Sequence, residues 1–244
     1  MNQRIVLYTC IIGGYDDLLE PGFIDPSLEF VCISDRPPPQ GSVWRYVPVK
    51  TYFGDKAAIN RYVKMHPHDY FHDADISIYI DGNIRIVSSP AALAQDAMSH
   101  APIALYQHFS RNCIYAEAEE CAAVGHAWFW RIYAQMNRYR RDRYLAGNGL
   151  YEGNIIIRQH NRPEIIRLMD LWWAEYHHGV RRDQLSLPYL IWKTSTVVQN
   201  LGVSDQRYGR AVFSLDSIHG GHSLLTRIRG MINRRILTLC PIRR

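Results

Sequence analysis

The residues of this chain whose types suit chemistry gather at the ends of apolar runs. The clearest case is Asp81-Gly82-Asn83, which closes the β-branched and aromatic run Ile76-Ser77-Ile78-Tyr79-Ile80. Such a run predicts a buried strand, and the tripeptide a tight turn. Open α/β sheets bind ligands at the carboxyl ends of their strands, where an Asp can hold a metal ion, a nucleotide-linked sugar or both. A plain turn is the blander reading of the same residues. Two further strand ends carry comparable groups. Arg4–Ile12 runs into Gly13-Gly14-Tyr15-Asp16-Asp17, and Leu28–Ser34 ends in Asp35. A glycine pair lets backbone approach a ligand, although the spacing is neither GxGxxG nor a P-loop. For Asp35 a cap or turn role stands beside a ligand role.

Other candidates are spread along the chain. Ala57, Arg61 and Lys64 share one face of an expected helix, a stripe suited to a diphosphate, although a solvated basic face is the more common meaning of such a pattern. The segment 107–117 packs His108, Arg111, Tyr115 and Glu117 into a loop-to-helix transition, more typical of a site than of a scaffold. Glu152-Gly153-Asn154 opens a strand, and Asp183 opens a helix, where a cap is its simpler role. His219-Gly220-Gly221-His222 offers a metal ligand from a loop. His66-Pro67-His68 and His72 match no helical ligand pair and read as structural or surface residues.

The elements that must position these residues follow from periodicity and punctuation. A helix is expected from Asp55, its N-cap, to His66, with Pro67 stopping it. A short helix follows over 90–99, then a strand over 103–106 and one long helix over 117–145 with an aromatic core side. Next come a strand over 150–158, a helix over 161–178 with Gly179 past its end, and a helix from 183 to 193. Residues 202–217 read as irregular, and 224–239 as a basic amphipathic helix whose apolar side carries Leu224, Ile228, Met231, Ile232 and Leu239.

Composition sets the class. The 244 residues are 47% hydrophobic and 21% charged, enough for one α/β domain with an extension. No apolar run reaches the length of a membrane span, and the first residues do not read as a signal peptide. Five cysteines without paired spacing read as reduced thiols, pointing to a cytoplasmic setting. The net charge is +5, yet residues 217–244 alone carry six arginines and no Asp or Glu. The body is therefore close to neutral, which argues against nucleic acid as a partner. The expected division is a body over 1–216 and a basic amphipathic tail over 217–244, the tail a candidate for an anionic membrane surface.

Taken in order, YTCIIGGYDDL (8–18), CISD (32–35), INRYVKMHPHDYF (59–71), IYIDGNIRI (78–86), QHFSRNCIYAEA (107–118), GLYEGNIIIR (149–158), WW-x-E (172–175) and RRDQLSLPY (181–189) resemble one family over about residues 5–192. It is the glycosyltransferase-like domain of plant pollen-turgor and seed-mucilage proteins and their bacterial relatives, more loosely similar to glycogenin and bacterial galactosyltransferases. The resemblance implies a GT-A-like, Rossmann-type α/β/α sandwich with a mostly parallel sheet, and transfer of a sugar from a nucleoside diphosphate, UDP by expectation, to a glycan, polysaccharide or lipid-linked acceptor. Asp81 and Asn83 fall where such enzymes carry Asp-x-Asp for Mn²⁺ or Mg²⁺. Asn83 departs from that pattern, bringing an amide oxygen but no charge.

The same resemblance implies roles for the rest. His219, ahead of His222, completes the metal site. Tyr8, Thr9, Gly13 and Gly14 line the nucleotide pocket with Gly82, Asp35 takes the base, and Arg61 and Lys64 face the diphosphate. Asp183, then Glu152, is the general base of an inverting reaction. His108, Arg111 and Gln184 orient the sugar or acceptor, with Glu117 orienting His108 or Arg111. Two other readings stay open: a metal-dependent hydrolase built from Asp81, the His-rich loops and Glu117, and a non-catalytic binder of nucleotide sugars. The expected location is cytoplasmic, peripheral on the inner membrane face.

Overall fold

The structure is a computed structural model that describes residues 3–50, 55–203, 206–207, 209–216 and 223–243. In chain order the elements are β1 (Ile5–Ile11), β2 (Leu28–Ser34), β3 (Arg45–Pro48), α1 (Lys56–Met65), β4 (Ile76–Ile80), β5 (Ile84–Ile86), α2 (Ala91–His100), β6 (Ile103–Gln107), α3 (Ile114–Ala123), α4 (Phe129–Arg141), β7 (Tyr151–Arg158), α5 (Pro163–His178), α6 (Leu187–Thr194), β8 (Val198–Val203), β9 (Phe213–Leu215) and α7 (Leu224–Leu239). The chain divides into two compact units. The first comprises Met1–Tyr106, Glu152–Asp170 and Val197–Ile218, and the second Gln107–Tyr151, Leu171–Thr196 and His219–Arg244.

The first unit is built on a sheet of order β3-β2-β1-β4-β7-β6-β8. β1 pairs parallel with β2 and β4, β2 pairs parallel with β3, and β7 runs antiparallel to β4. Every residue of β1 and β4 is buried, as strands covered on both faces must be, and this is why they read as unbroken apolar runs. On one face Ile5, Leu7, Phe30, Ile78, Ile80 and Ile157 pack against Ala94, Ala97 and Met98 of α2. The alternate residues Val6, Tyr8, Ile33, Tyr79 and Ile156 are buried on the other face, where α1 lies against β1. Asp55 caps α1 by accepting from the Ala58 N–H at 2.6 Å. The architecture is the α/β fold with a mostly parallel central sheet that the resemblance implied.

The second unit is helical and departs from expectation in two places. The helix expected over 117–145 is two helices, α3 and α4, separated at Gly125. Gly125 has φ +82°, and a Cβ there would come within 2.2 Å of the Thr226 carbonyl oxygen. α7 therefore crosses at a point where only glycine leaves room, and it does so with a glycine of its own, since a Cβ on Gly230 would meet the Ala123 carbonyl at 2.7 Å. Nor is the C-terminal helix a separate tail: it is part of this unit. Asn233, fully buried, donates to the Ala122 and Ala127 carbonyls (both 2.9 Å) and accepts from the Phe129 N–H at 3.0 Å. One side chain thus satisfies the carbonyl end of α3 and the amide end of α4. Arg229 and Arg234 donate to the Gly125 and Ala123 carbonyls at 2.5 and 2.7 Å, cations at a helix C-terminus where the dipole favours them.

Within 202–217, expected to be irregular, the structure forms the end of β8 and all of β9, which pairs antiparallel with β5. β8 is half-exposed at the sheet edge, so it lacks the buried apolar run that marks the central strands.

Candidate functional site

The carboxyl ends of β1, β2 and β4 lie side by side because these strands are parallel neighbours. At the end of β1, Gly13 and Gly14 both take left-handed backbone, φ +67° and +65°. Asp35, at the end of β2, holds this turn by accepting from the Gly13 N–H at 3.0 Å. The Lys56 ammonium lies over the turn, 3.5 Å from the Gly13 carbonyl, and the Arg36 guanidinium lies against Gly14. Beside them is a cleft of about 290 Å³ lined by Gly14, Asp16, Ser34, Asp35, Arg36 and Pro37–Pro39, among others, just below the usual size of a small-molecule site.

Asp81 ends β4. Its backbone N–H donates to the Asn154 carbonyl at 2.8 Å, and its own carbonyl accepts from Ile84, closing the turn. Oδ1 accepts from the Tyr79 hydroxyl at 2.8 Å and faces the Lys64 ammonium at 3.8 Å. Oδ2 has no partner among the described residues, and the side chain is about a third exposed. Asp16 comes from the other side: a Cβ on Gly82 would sit 2.8 Å from its Oδ2. The Asp81-Gly82-Asn83 turn therefore carries a second carboxylate, contributed by the loop after β1. Asp16 and Asp81, with Asn83 on the same turn, offer oxygen donors of the type that hard divalent cations take, a chemistry that fits Mn²⁺ or Mg²⁺. Among the described residues no group of three or more His, Cys, Asp and Glu side chains gathers as a metal site. His219 and His222 lie outside the described residues.

Several expected site residues are placed otherwise. Tyr8 and Thr9 are buried. Strand alternation turns Tyr8 to the α1 side, fully buried, where its hydroxyl accepts from Arg158 and donates to the Lys64 carbonyl at 3.0 Å. The rings of Phe71 and Tyr79 pack on it, and burial pushes its hydroxyl pKa well up. Thr9 faces the opposite side and is 2% exposed. Lys64, 1% exposed, does not face an incoming diphosphate but stands behind Asp81 as a counter-charge, over the Tyr79 ring. Arg61 is half-buried and donates to Asn60, which in turn donates to the Cys10 carbonyl at the end of β1. Glu152 is 2% exposed. One oxygen accepts from Asn154 and Gln206 (3.2 and 2.5 Å), and the other faces Arg207 at 3.4 Å. It fastens residues 206–207 to β7.

Beneath the strand ends lies a feature that sequence reading passed over. Arg158 is fully buried; it donates to Tyr8, to the Lys64 carbonyl in the last turn of α1 and to the Met169 sulfur. Burial lowers its pKa. The guanidinium joins β7, β1 and α1 beside Tyr8.

In the second unit the Glu117 carboxylate, 2% exposed, accepts from Arg111 Nε at 2.7 Å and from Arg182 Nη2 at 3.4 Å. Arg182 also donates to Gln184. His108 Nδ1 accepts from the Ser110 and Arg111 N–H groups (3.2 and 3.1 Å), so the neutral ring carries its proton on Nε2. Asp183 is 5% exposed; Oδ1 accepts from the Gln184 N–H at 3.1 Å, and its carbonyl accepts from Trp172 Nε1. His108, Arg111, Glu117, Asp183 and Gln184 thus belong to one polar layer of this unit, with Arg182 at its centre.

Asp16, Lys56 and Arg36 were missed in the sequence. The only signal for Asp16 was its place in the acidic pair directly after the glycine turn.

The α/β fold with its mostly parallel sheet is of the GT-A type. The structure of WbbM, a bifunctional glycosyltransferase in its apo form, superposes with a TM-score of 0.50 at 10% identity, over 96% of this chain and 45% of that one. The galactosyltransferase LgtC, solved with donor and acceptor sugar analogues, gives a TM-score of 0.48 at 12% identity, over 83% of this chain and 74% of its own. The chain belongs to the TOD1/MUCI70 glycosyltransferase-like domain family, whose profile matches residues 38–212. "Probable hexosyltransferase MUCI70" of Arabidopsis thaliana is 23% identical over 212 residues, which are 75% of this chain and 36% of that protein. The chain therefore spans about a third of the curated relative's length. Asp81, Glu152 and Asp183 lie inside the matched region, and Gly13, Asp16 and Asp35 before it.

Proposed function

We propose that this chain transfers a hexose from a nucleoside diphosphate sugar, with UDP the expected nucleotide, to a glycan, polysaccharide or lipid-linked acceptor. The observation that carries the reading is the contact of Asp16 with Gly82. It joins the cleft beside Asp35 to the open Oδ2 of Asp81, so that a place for a nucleoside runs into an acidic place for a diphosphate-bound cation. In this reading the base lies against Asp35 and Pro37–Pro39. The glycine turn lets backbone approach the diphosphate. Asp16, Asp81 and Asn83 hold Mn²⁺ or Mg²⁺, which when bound neutralises the leaving diphosphate.

The chain's own cations act on the same charge. Lys56 and Arg36 lie over the glycine turn, and Lys64 orients Asp81 from behind. Tyr79 fixes the same oxygen from the side. Glu152 is a positioning residue, and Asp183 keeps the general-base role that the family resemblance implies. Within the second unit, the Arg111–Glu117–Arg182 layer with His108 and Gln184 keeps the sugar-orienting role that the same resemblance implies. An enzyme in the TOD1/MUCI70 family with a hexosyltransferase relative fits this chemistry.

The test is thermal unfolding with UDP, GDP, CDP and their hexose conjugates, each with and without Mn²⁺. A nucleotide at a hundred times its dissociation constant stabilises by about 2.7 kcal/mol. Stabilisation by one nucleotide, enhanced by Mn²⁺ and lost in Asp81→Ala and Asp16→Ala, is the expected outcome. No shift with any nucleotide contradicts the proposal, and a shift without turnover of any donor sugar marks a binder instead of an enzyme.

A further inference from the structure

α7 is mounted in the opposite sense to an ordinary amphipathic surface helix. At 3.6 residues per turn, Leu224, Leu225, Ile228, Met231, Ile232 and Leu239 fall within an arc of roughly 120°, and all six are exposed, Leu225 by 78% and Leu239 by 89%. The opposite side carries Thr226, Gly230 and Asn233, and this is the side packed on α3 through the glycine crossing and the Asn233 hydrogen bonds. The apolar side therefore points away from the unit that holds it. A contiguous apolar face of this kind on a soluble protein marks an interaction surface.

The charges say what kind. Arg235 lies within the apolar arc and Arg227 beside it; both are exposed, and neither side chain has a partner among the described residues. Arg229, Arg234 and Arg243 are spent on the Gly125 and Ala123 carbonyls and on Glu119. No Asp or Glu occurs anywhere in 217–244. Next to α7, the rings of Trp128 and Trp130 stack at 4.8 Å, with Trp130 54% exposed. They flank Phe129, whose N–H is held by Asn233 of α7. Leucine and isoleucine on an exposed helix face, unpaired arginines along it and a neighbouring tryptophan pair are the features of a helix lying in a lipid–water interface.

We propose that the outward face of α7 docks flat on an anionic lipid surface, with Arg227 and Arg235 at headgroup phosphates and the leucine and isoleucine side chains below them. The helix is already folded against α3, so binding needs no coil-to-helix transition. Among the described residues no helix is long and apolar enough to cross a membrane, which fits a helix that lies on one. The proposal stands apart from the transfer reaction, since it concerns a different surface and is read without any nucleotide.

The test is co-sedimentation of the full chain with phosphatidylcholine vesicles, with and without phosphatidylglycerol as about a third of the lipid. Tryptophan emission is recorded in parallel. The expected result is binding to the anionic vesicles only, a blue shift of the emission, and release by salt. Arg227→Gln/Arg235→Gln should weaken binding on the order of 25-fold, and Leu225→Glu/Ile232→Glu should abolish it. Both variants should keep the wild-type circular dichroism and unfolding midpoint, because the changed side chains are exposed. Failure of the wild type to pellet, or equal pelleting of the Leu225→Glu/Ile232→Glu variant, overturns the proposal. So does a concentration-dependent dimer that this variant loses while wild-type protein ignores vesicles, which would assign the face to a second copy of the chain.

Discussion

His160 should make the stability of this protein fall steeply in mild acid. The residue follows β7 and is completely buried; its Nε2–H donates to the Phe71 carbonyl at 2.8 Å, while Nδ1 has no partner among the described residues. Burial, reinforced by the nearby Arg158 guanidinium, holds its pKa down to about 4 against an ordinary 6.5. The unfolded chain therefore takes up a proton near pH 6.5 that the folded chain refuses until about pH 4. A depressed histidine contributes its full stability above about pH 6.5 and loses it as pH falls through that window. With these two values the loss between about pH 7 and about pH 5 is about 2 kcal/mol. The assay is urea unfolding at the two pH values for wild type and His160→Gln, which retains a donor for Phe71 but does not titrate. The wild type should lose about 2 kcal/mol more than the variant. Equal losses would show that His160 accepts its proton in the folded state, and the burial argument would be wrong.

Further expectations concern the strand ends. Gly82→Ala places a Cβ 2.8 Å from Asp16 Oδ2, so the carboxylate must move; Gly82 itself is not in left-handed backbone, and the fold should survive. Nucleotide-induced stabilisation should drop in this variant, and an unaltered shift would remove Asp16 from the site. Gly13→Ala meets both a φ of +67° and the Lys56 side chain. It should cost about 1–3 kcal/mol in urea unfolding, and a neutral result would refute the turn's role. Arg158→Leu leaves the Tyr8 hydroxyl and the Lys64 carbonyl without their charged donor; a loss of about 2–4 kcal/mol is expected by calorimetry or urea unfolding. A change under about 1 kcal/mol would mean the guanidinium is replaceable there by packing alone.

The central strands were legible because parallel strands covered on both faces have no choice but to be apolar, and because Gly13, Asp35 and Asp81 punctuate them at their carboxyl ends. Asp55 announced α1 by a local rule, the side-chain cap. What stayed hidden was set by distant partners. Gly125 breaks the helix expected over 117–145 because α7 crosses there, a hundred residues later in the chain. Asp16 belongs with Gly82 through the β1–β4 pairing, and no local spacing reports that. Tyr8 and Lys64 were placed in the pocket by their positions near strand and helix ends. The strand's two-residue alternation turns Tyr8 inward, and Asp81 and the Tyr79 ring hold the buried Lys64 ammonium. The basic tail was read as a membrane-facing amphipathic helix, whereas three of its arginines cap α3 or pair with Glu119 and only part of the charge faces outward.

The site's assignment turns most directly on donor turnover. UDP release from UDP-hexoses, with and without Mn²⁺, should be measured for wild type, Asp16→Asn, Asp81→Asn and the membrane-face variant Leu225→Glu/Ile232→Glu. Release by the wild type and the membrane-face variant alike, with a loss of a hundredfold or more on the order of an electrostatic contact to the leaving group in both aspartate variants, is the expected pattern. Undiminished release by Asp81→Asn, or stabilisation by nucleotide with no release from any donor, would contradict a glycosyl-transfer site at the ends of β1, β2 and β4.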